Sequence, residues 1–474
     1  MAEQKWPEKY PIIGRGERKY GTVAAMKIPS IVKADISRIA EAKKQGKPIA
    51  YCFIQSNYDE IIRAMDIVPM WTENFAGICA AKRDAQRFLE KAESLGFSRS
   101  LCTYATCGIG FDAWREELGQ MPPDAPWGGQ VRPDVMLSSG QIICDPRYRW
   151  YQACQQFQPD VPVYHLDALW PLYENDVDRH EVEGYYVKYL TEDLRGLVKF
   201  LEEHLYKKMD WDRLWEIIRL ADKTTDLLVE CRELRSAVPT PMDTGDAMNT
   251  MVAQCFMMGT QEAYEFFRDL RDELKYKVDH KLGIVPEEKY RLIWAGGLPS
   301  WFALTDFNYF WSKGAVFPVE STYNELAYSV RELDLPKTSD PLEYMAWRWI
   351  RRQTYWWDKA RKRPGSEPDV ERTINYIEQY KIDGIVVHEA FSCRSWHVGL
   401  LWMLNQIAKI CRPIPVLTVK GGQKMKTYRE LPSLVLESDI VDISSYSEAD
   451  TRARIDAFIE TLDAVKSQRA EFQS

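Results

Sequence analysis

The 474-residue chain lacks any run of 18 apolar residues, and its first 20 residues are charged and interrupted by proline. Neither a membrane span nor a secretory leader is expected. Also missing are a CxxC pair, an HxxxH pair, a GxGxxG turn and a GxxxxGK[ST] loop. Paired-ligand zinc, dinucleotide binding and nucleotide hydrolysis on this chain are thereby disfavoured, and any ATP hydrolysis belongs to another chain. There is no excess of basic charge: Lys+Arg 62 against Asp+Glu 70 gives a formal net charge of −8. A nucleic-acid binder with a dominant basic face is not indicated. The ten cysteines do not cluster, and without a leader they do not read as a disulfide framework. The expected compartment is a reducing cytoplasm.

What is present fits a large soluble protein. With 45% hydrophobic and 28% charged residues the chain can bury a substantial core. Its length suggests about three units of roughly 150 residues. Seventeen Trp and 25 Tyr suit a packed multidomain enzyme or a large subunit interface.

Residues 1–45 read as an N-terminal arm that wraps a partner or another part of the molecule; residues 1–34 hold seven Lys/Arg against three Glu. Residues 46–183 alternate strand and helix: PIAYCFI (48–54), a helix over 59–65, another over 81–94, one opening in SLCTYATCGIG (100–110), the strand DVMLSS (134–139), a helix near 147–157, and PVYHLD (162–167). Residues 184–286 read as helical, with Leu190, Leu194, Leu197 and Leu201 forming a core stripe. Strands return over 287–474 as YRLIWAGG (290–297), GAVFPVES (314–321), DGIVVHEA (383–390) and IPVLTVK (414–420), before an amphipathic helix over 448–470. The fold class predicted is α/β, with two doubly wound, mainly parallel-sheet lobes bracketing a helical middle. The basic and aromatic run RWIRRQTYWWDKARKR (348–363) is expected to be an interface helix with a solvated or anion-binding end.

The two lobes resemble each other. In each, an Asp opens a strand, a Cys follows ten residues later, then a helix and a Pro-initiated strand: Asp134/Cys144/Pro162 and Asp383/Cys393/Pro415. Both cysteines are placed beyond a strand's carboxyl end, near a helix N-terminus, where open α/β sheets bind ligands and a helix dipole favours thiolate. Cys102 lies at a third predicted helix start. A lone cysteine is most often a small buried hydrophobe. Three on separate loops suit an iron–sulfur cluster with one iron left open. A papain-like pair of Cys393 with His388 or His397 is the competing chemistry, against core or surface roles for both histidines.

LCTY (101–104), PDVMLSS…IC ending at Cys144, EEKYRLIWAGGLPSW (287–301), GAVFPVESTY (314–323) and IDGIVVHEAFSC (382–393) carry a resemblance over roughly residues 45–465. The chain resembles the two-subunit family of 2-hydroxyacyl-CoA dehydratases and ATP-dependent (class I) benzoyl-CoA reductases, and within it the larger cluster-binding benzoyl-CoA reductase subunit. The resemblance implies a [4Fe–4S] cluster held by Cys102, Cys144 and Cys393, and an active-site glutamate at Glu73. It implies a homologous smaller cluster-binding subunit, ATPase activator subunits with their own cluster, and an acyl-CoA substrate. The implied chemistry is transfer of low-potential single electrons to a CoA thioester. A ketyl radical anion then expels hydroxide in a dehydratase, or is protonated and reduced again to a dienoyl-CoA in an aromatic reductase. A non-catalytic electron-transfer subunit is the third reading. The family's acidic segment after the last strand is replaced here by KGGQKMKTYRE (420–430), and Cys52 and Cys107 read as packing residues.

Overall fold

The computed structural model describes residues 9–15, 18–139, 144–169, 179–322, 328–361, 367–397, 399–411 and 431–473. A short antiparallel hairpin, β1 (Ile13–Arg15) and β2 (Arg18–Tyr20), precedes two larger sheets. The first comprises β3 (Ile49–Cys52), β4 (Val68–Trp71), β5 (Val135–Ser139) and β6 (Val163–Leu166), in the order β4-β3-β5-β6. The second comprises β7 (Tyr290–Gly296), β8 (Ala315–Glu320), β9 (Gly384–Ala390) and β10 (Ser433–Ser438), in the order β10-β9-β7-β8. Every pairing in both is parallel, and β3, β5, β7, β8 and β9 are buried along their whole length. Helices cover both faces of such sheets, which is why these strands read as unbroken apolar runs.

Both sheets share one strand order, second-first-third-fourth, and the same device sets the third strand against the first. The Asp134 carboxylate accepts from Ile49 N–H at 2.8 Å, while Asp134 N–H donates to the Ile49 carbonyl at 2.8 Å. Asp383 does the same to Arg291, at 3.1 and 2.6 Å. The fourth strand is where the repeat departs from the sequence reading. The Pro162 carbonyl accepts from Met136 N–H at 3.0 Å, and its counterpart is Pro432, which accepts from Ile385 N–H at 2.9 Å. Among the described residues, then, the place of Pro162 is matched by Pro432, and Pro415 lies outside them. The place beside β9 is taken by Ser433–Ser438, whose alternating burial is that of an edge strand and which has no long apolar run to betray it. The strand expected over 414–420 lies outside the described residues.

Two smaller differences have local causes. The helix expected over 81–94 is Gln86–Ser94; Ala81 instead ends the preceding helix, Thr72–Ala81, and a turn with Arg83 at φ 56° separates the two. Strand β4 escaped notice because Pro69 interrupts it; at the sheet edge a missing N–H is tolerated.

The middle of the chain is four helices, Arg179–Leu205, Trp211–Leu234, Thr244–Phe256 and Gln261–Asp279. Leu190, Leu194, Leu197 and Leu201 are buried in the same apolar core as Leu342, Met345 and Ile350 of the helix Pro341–Thr354, on which their helix packs. The N-terminal segment lies on the chain's own middle. Arg18 donates to the Gly245 carbonyl at 2.9 Å and Thr22 to Asp246 at 2.9 Å, and the helix Val23–Lys44 packs behind them. The first part of the basic run packs into the chain, whereas Lys359 near its end is exposed and residues 362–363 lie outside the described residues. In the helix Pro341–Thr354, Arg348 pairs with Glu60 and with Asp222 (2.8 Å), and Arg351 pairs with Glu183 at 3.1 Å. Carboxylates of this chain answer those two charges, so this part of the run is a packing helix. No helix among the described residues is long and apolar enough to cross a membrane.

Candidate functional site

Cys102 is the N-cap of the helix Thr103–Leu118, Cys144 is the N-cap of Asp145–Cys154, and Cys393 immediately precedes Arg394–His397. Each is partly buried, and no disulfide joins the described cysteines. The helix carrying Cys102 is held close to its neighbour by glycine: a Cβ on Gly110 would stand 1.9 Å from the Phe88 carbonyl oxygen. Burial pushes the Cys102 thiol up, and Cys144 and Cys393 push it further, while N–H groups of Ala105 and Tyr104 pull it back. Burial likewise pushes Cys144 up to about 12, opposed by Arg147 and reinforced by Glu73 and Cys393. The fold thus places the three cysteines, from three loops and two lobes, within electrostatic reach of one another.

Among the described residues no three His, Cys, Asp or Glu side chains are spaced to grip one metal ion. A four-iron cluster makes a different demand, because each thiolate binds its own iron. The donor set here is three thiols at helix ends, which is soft and suits iron–sulfur chemistry. Burial keeps the sulfurs of Cys102 and Cys144 protonated until a cation displaces the proton, which is how thiolate sites couple to metal uptake.

Glu73 lies in the first turn of Thr72–Ala81, beyond the carboxyl end of β4. It is not an ordinary loop carboxylate. Arg147 Nη2 donates to both of its oxygens at 2.9 Å, Arg147 Nε to one at 3.1 Å, and Ile54 N–H to the other at 3.1 Å. Arg147 stands three residues after Cys144, so the pair links the carboxylate to the cysteine loop. Arg147 Nη1 is buried without a hydrogen-bond partner among the described residues. Sequence reasoning missed Arg147; its only signal was proximity to a cysteine already singled out.

Glu73 also lines a cavity of about 420 Å³, open on one side and walled by Tyr104, Trp127, Phe256, Trp301 and Phe302. Arg18 from the N-terminal hairpin, Met251 from the helical middle and Trp301 from the second lobe all reach it. Trp301 donates its indole N–H to the Tyr104 hydroxyl, closing the wall two residues from Cys102. Lys82 stands over the Trp127 ring at 5.4 Å.

His388 takes the core role. Its Nδ1 contacts the Leu298 carbonyl at 2.5 Å, and its Nε2 the hydroxyls of Ser438 (2.8 Å) and Ser300 (3.3 Å). Burial pushes its pKa down to about 4. With both ring nitrogens engaged it does not form a catalytic pair with Cys393. His397 ends the short helix, and its side chain lies outside the described residues. Cys52 and Cys107 are fully buried, in β3 and in the helix Thr103–Leu118.

Comparison with known proteins agrees with this architecture. The chain is 24% identical to a benzoyl-CoA reductase subunit of Thauera aromatica over 451 residues, covering 93% of this chain and 95% of the relative. It is 25% identical to the (R)-phenyllactyl-CoA dehydratase alpha subunit of Clostridium sporogenes, covering 90% and 92%. It is 20% identical to the alpha subunit of the (R)-2-hydroxyglutaryl-CoA dehydratase of Acidaminococcus fermentans, covering 92% and 96%. All three relatives are named as subunits of acyl-CoA reductases or dehydratases. The family profile described as 2-hydroxyglutaryl-CoA dehydratase, D-component, matches residues 58–462, and the chain belongs to that family.

Proposed function

We propose that the chain is the iron–sulfur subunit of an ATP-dependent aromatic acyl-CoA reductase of the benzoyl-CoA reductase type. The observation that carries this reading is the aromatic-walled cavity of about 420 Å³ with Glu73 in its wall, joined through Arg147 and Tyr104 to the loops bearing Cys144 and Cys102. Cys102, Cys144 and Cys393 would hold a [4Fe–4S] cluster, which supplies single low-potential electrons and an open iron position.

The chain's own residues do the rest. The aromatic walls accept a flat, apolar acyl group by dispersion and exclude water from it. Glu73 is the carboxyl that exchanges a proton with the bound acyl group, and Arg147 fixes its two oxygens. Lys82, exposed at the cavity margin, suits the phosphates of a CoA ester. Leu101 and Phe391, each next to or near a cysteine, are 40% and 53% exposed, and Leu401 and Trp402 are 55% and 48% exposed. That apolar surface supports assembly with other chains: a homologous cluster-binding subunit and an ATPase electron donor with its own cluster. The (R)-phenyllactyl-CoA dehydratase relative supports a second reading, a 2-hydroxyacyl-CoA dehydratase subunit, because the same cavity accepts a phenyl group.

The test is an anaerobic assay of the assembled complex with benzoyl-CoA and with phenyllactyl- and lactyl-CoA. Formation of a dienoyl-CoA from benzoyl-CoA is expected; water loss from a hydroxyacyl-CoA, without ring reduction, replaces the first reading by the second. Glu73→Gln should keep its iron and lose turnover with either substrate. Full turnover in that variant would remove Glu73 from the site and favour an electron-transfer subunit.

A further inference from the structure

We infer that Asp439 is the positioning residue of the cysteine site: one carboxylate grips the residue after Cys102 and the residue before Cys393, fixing the two thiols relative to each other across the lobe boundary. Asp439 follows β10 and is 4% exposed, as are Thr103 and Ser392. Its Oδ1 accepts from the Thr103 hydroxyl at 2.5 Å, from Val441 N–H at 2.9 Å and from Asp442 N–H at 3.0 Å. Its Oδ2 accepts from Ser392 N–H at 3.3 Å. Thr103 and Ser392 also meet directly, hydroxyl to hydroxyl at 3.1 Å, and Thr103 N–H donates to the Ser392 hydroxyl at 3.3 Å.

Three features set this contact apart from ordinary packing. The two gripped residues are separated by 289 positions and belong to different lobes, so no local turn could hold them. The donors are all neutral, a hydroxyl and three backbone N–H groups, so the carboxylate brings a net negative charge to the cysteine loops. The same loop also carries the cavity wall: the Ser300 hydroxyl donates to the Asp439 carbonyl at 2.6 Å, and Trp301 N–H donates to the Ile440 carbonyl at 3.2 Å. Residues beyond the immediate ligands that orient them and set local charge tune both the occupancy and the potential of metal sites.

The inference deepens the proposed cluster reading, and its geometric half is tested without iron. In iron-free wild-type protein, dibromobimane should bridge Cys102 and Cys393, and mapping by peptide mass identifies the bridge. Asp439→Asn should slow bridging by about tenfold, the factor implied by losing one hydrogen bond to a charged group. Thr103→Val should slow it similarly and Thr103→Ser should restore it; these milder variants carry the test if Asp439→Asn does not fold. In anaerobically loaded protein, Asp439→Asn should keep iron and move the EPR-monitored reduction midpoint to more positive potential, because a nearby negative charge is gone. A folded variant with wild-type bridging and an unchanged midpoint overturns the inference. Slower bridging in a protein that takes up no iron upholds the positioning role and defeats the cluster reading alone.

Discussion

The two lobes are built on one plan and finished differently. In both, the first strand is gripped by an Asp at the head of the third, and a cysteine follows the third strand at the same offset. The first lobe adds a helix between its second and third strands that presents Cys102, and a helix after β4 that presents Glu73. The second lobe has helices in the same interval, Pro341–Thr354 and Pro368–Gln379, but what it supplies to the site is Cys393 and the Asp439 loop. At the third strand's carboxyl end the first lobe has the small Ser139, whereas the second has the buried ring of His388 at the matching position. A duplicated scaffold thus yields one site only because each copy contributes what the other lacks.

The largest expected effect tests whether the two matching cysteines are equal. Cys144→Ser and Cys393→Ser should each reduce about four irons per chain to nearly none after anaerobic purification, the stoichiometry of one [4Fe–4S] cluster. Cys107→Ser should leave iron unchanged. Loss of iron in one of the two matching variants only would mean that the lobes do not share the site.

A second effect separates the lobes by pH. His388 is held neutral with its pKa near 4 against the ordinary 6.5. The unfolded chain therefore takes up a proton below about 6.5 that the folded chain refuses until about 4. Stability is lost as pH falls through that window, by ~3 kcal/mol when the shift is fully expressed. Denaturant melts between pH 7 and 4 should show a steeper fall for wild type than for His388→Asn; parallel curves would mean the ring is not held neutral by burial.

A third, smaller effect tests the shared strand anchor. Asp134→Ala and Asp383→Ala each leave a strand N–H without its carboxylate partner, and should each cost about 1–3 kcal/mol. Asp134 also pairs with Lys43 at 2.7 Å and Asp383 with Lys466 at 3.1 Å, so the losses should be alike. A loss in one variant only, measured by urea unfolding, would break the equivalence of the lobes.

The parallel sheets were legible because strands buried on both faces are continuous apolar runs, and the long leucine stripe because helical periodicity is strong. The edge strand at Ser433–Ser438 was not read from the sequence because its burial alternates and no long apolar run marks it. The internal pairing of the buried arginines at 348 and 351 was not legible, because charge in sequence says nothing about which carboxylates will meet it.

By itself the sequence determined the α/β class, the repeated Asp-to-Cys spacing and the three cysteines worth following. These are local signals, written in periodicity and in residue types a few positions apart. Only the tertiary structure decided that Glu73 is clamped by Arg147, that Tyr104 and Trp301 close one cavity, and that Asp439 spans two cysteine loops. Those contacts join residues 47 to 336 positions apart, and pairings at such separations follow from how whole lobes pack rather than from any pattern along the chain.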